Sequence, residues 1–255
     1  MDELSRLAMN AKALVLEGYY DVTERTDRAP SFLGTLGRAD QPSEVIAEIK
    51  YASPTMHSGK VPDGFERLLD ALVQARPLGL SVLAEPRVFQ GHLDSVRHAA
   101  GSGLPVLFKD VVVDLAQVDA AAATGASAVL VIQALFTHGL LDGHPQQFVD
   151  RAHDHGLDAV LEAHTAAEWD ACLETDADIL GINNRDLVSM AVDMSTTPRL
   201  LASRPTDRPV IAMSGIATRA DVQSMRRAGA DAVLVGSSIM ASADPAQKLR
   251  ELQHG

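Results

Sequence analysis

Eight Val/Ile/Leu-rich runs alternating with amphipathic segments predict an α/β fold: a closed (β/α)8 TIM barrel with a short N-terminal helical extension. Two further observations sharpen this. The apolar runs are too continuous to face water on one side, which marks a parallel sheet covered on both faces. Six of them end in polar, chemistry-bearing residues, and a barrel gathers the C-terminal ends of its strands at one mouth. The alternative is an open doubly wound sheet, but no Gly-x-Gly-x-x-Gly follows the first strand. The 255 residues suit one barrel domain over 1–255, with residues 1–44 as a helical leader.

The leader opens with a helix over 4–17, whose Leu4, Leu7, Ala8, Ala11, Leu14 and Val15 share one side. Gly18-Tyr19-Tyr20 breaks it. Residues 25–44 are polar and Pro-punctuated around the insert Phe32-Leu33-Gly34-Thr35-Leu36. Strands are then expected at 45–50, 80–85, 106–112, 128–134, 158–163, 178–183, 209–213 and 232–236. Helices are expected near 63–75, 91–100, 115–124, 145–155, 165–174, 197–203, 218–228 and 245–253. Thr165 and Glu168 form a capping box, Thr218 precedes a helix with Asp221 in its first turn, and Pro245 suits a first turn. Gly125, Gly156 and Gly229 read as helix stops. The stretches 123–131 and 227–235 are near-copies of one helix–turn–strand unit.

A formal net charge of -12 argues against a nucleic-acid partner, which calls for a basic face. It leaves a small anionic substrate open, because local charge decides that. Cys172 is the single cysteine, so no intrachain disulfide forms, as suits a reducing cytoplasm. Met1-Asp2-Glu3 lacks the basic start of a secretory signal, and no apolar run approaches the ~20 residues of a membrane span. The expectation is a cytoplasmic protein with no membrane partner; protein partners stay open.

The strand ends carry the chemistry. In Val45-Ile46-Ala47-Glu48-Ile49-Lys50, alternation puts Glu48 and Lys50 on one side and Ile49 on the other. Burying charge that way costs several kcal/mol without a partner, so a functional cluster is expected. Lys109 and Asp110 end the third strand, and Glu162 and His164 the fifth. Asn183, Asn184 and Arg185 follow the sixth, Ser214 and Gly215 the seventh, and Gly236, Ser237 and Ser238 the eighth. The last two groups suit a phosphate cradle of backbone N–H groups and a helix start. Lys109 reads as a general acid, a Schiff-base lysine or a structural ion pair. Glu48 and Glu162, with His164 nearby, raise a metal site. The remaining histidines show no ligand spacing, so no metal is expected.

The strings Glu48-Ile49-Lys50-Tyr51-Ala52-Ser53-Pro54, Pro105 to Asp110, Gly181-Ile182-Asn183-Asn184-Arg185-Asp186-Leu187, Ser214-Gly215-Ile216 and Leu234 to Ser238 resemble the indole-3-glycerol phosphate synthase family. So does Ser81 to Pro86 with Phe89 and Gly91. The resemblance runs in order from about residue 30 to 250. It implies a barrel enzyme without cofactor or metal. The implied reaction is the decarboxylative ring closure of 1-(2-carboxyphenylamino)-1-deoxyribulose 5-phosphate, a lyase step of tryptophan biosynthesis. By resemblance, Lys109 is the acid for the ketone oxygen and Glu162 serves the later loss of hydroxyl. Lys50 holds the substrate's anionic groups, and Glu48 and Asn183 orient sugar hydroxyls and lysines. Ser53, Pro54 and Arg185 lie on the anthranilate-carboxylate side, Val111 stands where an aromatic packs on the ring, Met213 where a carboxylate faces the sugar and lysines, Leu187 and Phe89 also bind substrate, and Ser214, Gly215, Gly236 and Ser237 hold the phosphate. Three positions depart from the family pattern: Met213 replaces a glutamate, Val111 an aromatic and Tyr51 an arginine. The departures admit a second reading, a paralogue acting on a different arylamino- or keto-sugar phosphate. A third is a non-catalytic barrel that binds a phosphate ligand.

Overall fold

The computed structural model describes residues 1–36, 43–52 and 64–254. Its sheet is a closed barrel of eight strands in sequence order. These are β1 (Val45–Ile49), β2 (Gly79–Leu83), β3 (Val106–Lys109), β4 (Ala128–Ile132), β5 (Asp158–Ala163), β6 (Ile179–Asn183), β7 (Val210–Met213) and β8 (Ala232–Val235). Every neighbouring pair is parallel, and β1 closes on β8. The period-2 pattern does the sorting. Ile46, Leu107, Leu130, Val160, Ile211 and Leu234 join one buried cluster inside the barrel. Their neighbours Ala47, Phe108, Val129, Leu161, Ala212 and Val233 join a second cluster beneath the helices.

The helices are α1 (Glu3–Leu16), α2 (Phe65–Gln74), α3 (Leu93–Ala100), α4 (Leu115–Ala123), α5 (Gln133–Thr137), α6 (Gln146–Asp154), α7 (Ala166–Leu173), α8 (Thr196–Ser203), α9 (Arg219–Arg227), α10 (Ser237–Met240) and α11 (Pro245–His254). The capping boxes at Thr165/Glu168 and Thr218/Asp221 both form. Gly125 and Gly229 follow α4 and α9 at φ 81° and 108°, a conformation that favours glycine and reverses the chain into the next strand.

Most strands are a residue or two shorter or shifted relative to the sequence reading; the second ends at Leu83 rather than 85, and two further differences have a visible cause. The third strand stops at Lys109 rather than 112, because the Gln117 side chain takes the Val113 N–H and the Val111 carbonyl. The fourth stops at Ile132, where the chain turns straight into α5, a helix the sequence reading ran through as strand. Gln133-Ala134-Leu135-Phe136 carries no break from the apolar strand before it, so periodicity alone does not separate them.

The leader runs from the mouth of the barrel to its base. At the mouth, Asn10 Nδ2 donates to Glu85 Oε1 at 2.7 Å and Lys12 Nζ to the Leu140 carbonyl at 2.7 Å. Tyr20 then donates to Asp110 Oδ2 at 2.8 Å. The N–H groups of Thr26 and Ala29 donate to the Ala123 and Gly125 carbonyls at 2.9 Å. Phe32 closes the base: a Cβ on Gly79, at the start of β2, would lie 2.5 Å from its ring. Among the described residues no helix is long and apolar enough to cross a membrane.

Candidate active site

A cavity opens at the C-terminal ends of the strands, where the sequence placed its polar residues. Glu48, Lys50, Lys109, Glu162, Asn183 and Arg185 share its wall. Ladder register explains the gathering. Glu162 pairs with Gly181 on β6, Asn183 pairs with Met213 on β7, and both lie in the last layer before the mouth.

The two carboxylates have different partners. Glu48 Oε1 lies 2.7 Å from Lys50 Nζ. Burial pushes the Glu48 carboxyl up, but the charges of Lys50 and Lys109 outweigh it, and its pKa falls below the usual carboxylate range. Glu162 Oε1 accepts from Asn183 Nδ2 at 2.9 Å, while Oε2 has no protein partner among the described residues. Here burial wins: the Glu162 pKa is raised, with Lys109 and Asn183 only partly opposing. One carboxylate is therefore held ionised and the other drawn toward its protonated form, with Lys109 acting on both. Such a split divides acid from base in one site. Among the described residues no three His, Cys, Asp or Glu side chains gather to hold a metal ion.

The loops are fixed by buried amides and by Glu85. Asn183 Oδ1 accepts the Arg185 N–H at 3.0 Å, and Arg185 Nη1 donates to the Met190 carbonyl at 2.8 Å. Asn184, fully buried, donates to the Ser214 carbonyl at 3.1 Å and accepts from Thr197 Oγ1 at 2.8 Å, tying the β6 loop to the β7 loop. Ser238 Oγ donates to the Ile216 carbonyl at 3.2 Å, joining the β7 and β8 loops. Glu85 accepts the N–H groups of Arg87, Val88 and Phe89 as well as Asn10 Nδ2, and so positions Phe89 on the cavity wall.

Met213, Leu187, Ser214, Gly215, Gly236 and Ser237 also line the cavity. Both glycines are required by the protein itself. A Cβ at Gly236 would lie 2.4 Å from Glu48 Oε1, and one at Gly215 would lie 2.4 Å from Met194 Sδ. Ser214 and Gly215 both have positive φ, 66° and 82°. Met213 folds over Gly181, where a Cβ would lie 2.6 Å from its methyl group. Val111 is not among the lining residues; it packs in the buried cluster that also holds Leu7 and Met213 and donates its N–H to Asp110 Oδ1 at 2.7 Å. Ser53 and Pro54 lie outside the described residues. Leu7 of α1, which the sequence assigned only to an apolar helix face, reaches the cavity from above.

The indole-3-glycerol phosphate synthase family model matches residues 6–252. A Dehalococcoides mccartyi indole-3-glycerol phosphate synthase is 38% identical over 214 residues, covering 82% of this chain and 80% of that protein. The Halobacterium salinarum enzyme of the same name is 39% identical over 203 residues, covering 79% and 77%. Among solved structures, a Pyrococcus furiosus thiamine phosphate pyrophosphorylase superposes with a TM-score of 0.60 at 14% identity, covering 83% of this chain and 94% of that one, a likeness of fold alone. With a matched model across nearly its whole length and relatives of this identity, the chain belongs to the indole-3-glycerol phosphate synthase family.

Proposed function

We propose that the chain converts 1-(2-carboxyphenylamino)-1-deoxyribulose 5-phosphate to indole-3-glycerol phosphate, as a carboxy-lyase of tryptophan biosynthesis working in the cytoplasm on a small sugar phosphate. Family membership carries the reaction. The observation that best supports the placement of its steps is the opposed shift of Glu48 and Glu162 around Lys109.

The ring carbon that bears the carboxylate attacks the ketone carbon. Lys109, on the cavity wall between the two carboxylates, donates a proton to the ketone oxygen as charge develops on it. CO2 departs and its bonding electrons return to the ring. The new hydroxyl then leaves as water on a proton from Glu162, while the proton lost from the carbon beside the nitrogen returns to Lys109, so Glu162 ends the cycle one proton short. Lys50, anchored by ionised Glu48, holds the substrate's anionic groups; Asn183 fixes the Glu162 carboxyl. Arg185, Phe89 and Leu187 bound the aromatic side and Met213 the side of the sugar and lysines. The backbone of Ser214, Gly215, Gly236 and Ser237 receives the phosphate. Incubating the purified protein with the carboxyphenylamino substrate and following indole fluorescence tests this reading. Absence of an indole product in the presence of folded protein refutes it, and turnover of another arylamino-sugar phosphate instead supports the paralogue that Met213 suggests.

A further inference from the structure

Glu162 borders two cavities. Beyond the substrate cavity lies a second one of about 250 Å³, lined by Glu162, His138, His164, Thr165, Glu168 and Asp186 among others. Its wall is mixed, with Ile132, Ala134, Ala163, Leu187 and Val188 beside these polar groups, and a space of that size has room for several water molecules at roughly 10–15 Å³ each, with the polar side chains as their partners. Glu162 is only 3% exposed, and its Oε2 is left without a protein partner among the described residues. Of its polar groups, the mechanism above uses only Glu162.

The stoichiometry of the reaction gives the space a task. The substrate's carboxylate leaves as neutral CO2, and the ketone oxygen leaves as water with two protons. The carbon beside the nitrogen supplies one of them; the other comes from solvent. Each turnover therefore takes up one proton, which Glu162 has to recover before the next.

His164 is placed to pass that proton. Its Nδ1 lies 2.7 Å from the Asn183 carbonyl, which only accepts, so Nδ1 carries a hydrogen. Nε2, the ring's other nitrogen, is then the one free to accept a proton from the cavity. Asp186 borders the same cavity; burial pushes its carboxyl up, but hydrogen bonds from Ser189 and Val188 and the charge of His164 bring it below its ordinary range. The other charged groups facing His164 are Glu168, whose Oε2 accepts the His164 N–H at 2.8 Å, and His138 at the exposed rim.

Resting on the function proposed above, we propose that the second cavity is the enzyme's proton supply line, in which His164 passes solvent protons through cavity water to Glu162. His164 acts through Glu162 and touches no substrate.

His164→Asn tests this. The amide can keep the donor to the Asn183 carbonyl but takes up no proton at neutral pH. In dilute buffer kcat should fall at least about tenfold with KM little changed, in keeping with the loss of a proton-transfer group. Imidazole, on the order of tens of millimolar, should restore most of the loss in the variant and leave wild type unaffected. An unchanged kcat, or a loss that rises with KM and ignores imidazole, overturns the proposal. Should His164→Asn fail to fold, His164→Gln, with its amide nearer the Nε2 position, is read the same way. An inactive wild type instead refutes the underlying reaction, and this proposal with it.

Discussion

Replacing Glu162 by Gln separates catalysis from architecture. Gln retains an oxygen for Asn183 Nδ2, so the 2.9 Å hydrogen bond that seats the side chain survives. What is lost is a group able to exchange a proton. General acid–base catalysis contributes ~10²–10⁴-fold, which at ~1.4 kcal/mol per tenfold is about 3–5 kcal/mol of transition-state stabilisation. A purely structural role could not produce that loss, because the retained hydrogen bond is itself worth only ~1 kcal/mol. Stability should move the other way. The pKa of Glu162 is raised in the folded state, so the carboxyl's favourable contribution is present below its unfolded pKa and is lost as pH rises through the folded value. Gln has no such loss, and the variant's Tm relative to wild type should therefore climb with pH. Steady-state kinetics with indole fluorescence, paired with thermal melts across the acid-to-neutral range, measures both. A kcat within about threefold of wild type would refute the acid–base role. A Tm difference that falls with pH would refute the burial argument.

Other substitutions probe the remaining features. Met213→Glu places a carboxylate beside Glu162 and the two lysines; its like charge should keep Glu162 protonated to higher pH, moving the basic limb of the pH–rate profile upward and raising activity on the carboxyphenylamino substrate. An unchanged profile would mean that Met213 does not sense that charge. Gly236→Ala pushes a Cβ into Glu48 Oε1 and should disturb the Glu48–Lys50 pair as well as the phosphate loop, so kcat falls and KM rises together; a change in KM alone would exclude the contact with Glu48. Asp110, whose pKa burial lifts to about 7 against the hydrogen bond from Tyr20, costs stability as pH rises from the ordinary carboxylate range through neutrality. Asp110→Asn should flatten that part of the Tm–pH curve, and a slope equal to wild type would contradict it.

Much of the site was legible because a strand's period is two. The alternation through 45–50 put Glu48 and Lys50 together inside the barrel, and their position at a strand end put them at the mouth. Residues contributed by packing rather than by strand period were not legible. Leu7 lies on an ordinary amphipathic helix, and nothing local tells which surface that helix covers. Glu85 collects four donors, three of them backbone N–H groups, a role visible only after the loop has folded. Gly236 read as a phosphate glycine, yet its nearest constraint is Glu48, nearly two hundred positions away in sequence. Val111, two residues beyond Lys109, lies past the early end of β3 and packs in the apolar cluster shared with Met213, a placement that depends on the Gln117 side chain rather than on strand period.

The central claim is that Lys109 delivers the proton that permits ring closure, and Lys109→Met tests it most directly. Methionine nearly matches the length of the apolar stem but carries no proton. With wild type forming indole-3-glycerol phosphate from the carboxyphenylamino substrate, the variant's kcat should be at least ~10²-fold lower with KM much less affected. Near-normal turnover by Lys109→Met, in a folded protein whose wild type makes the same indole product, would contradict the account.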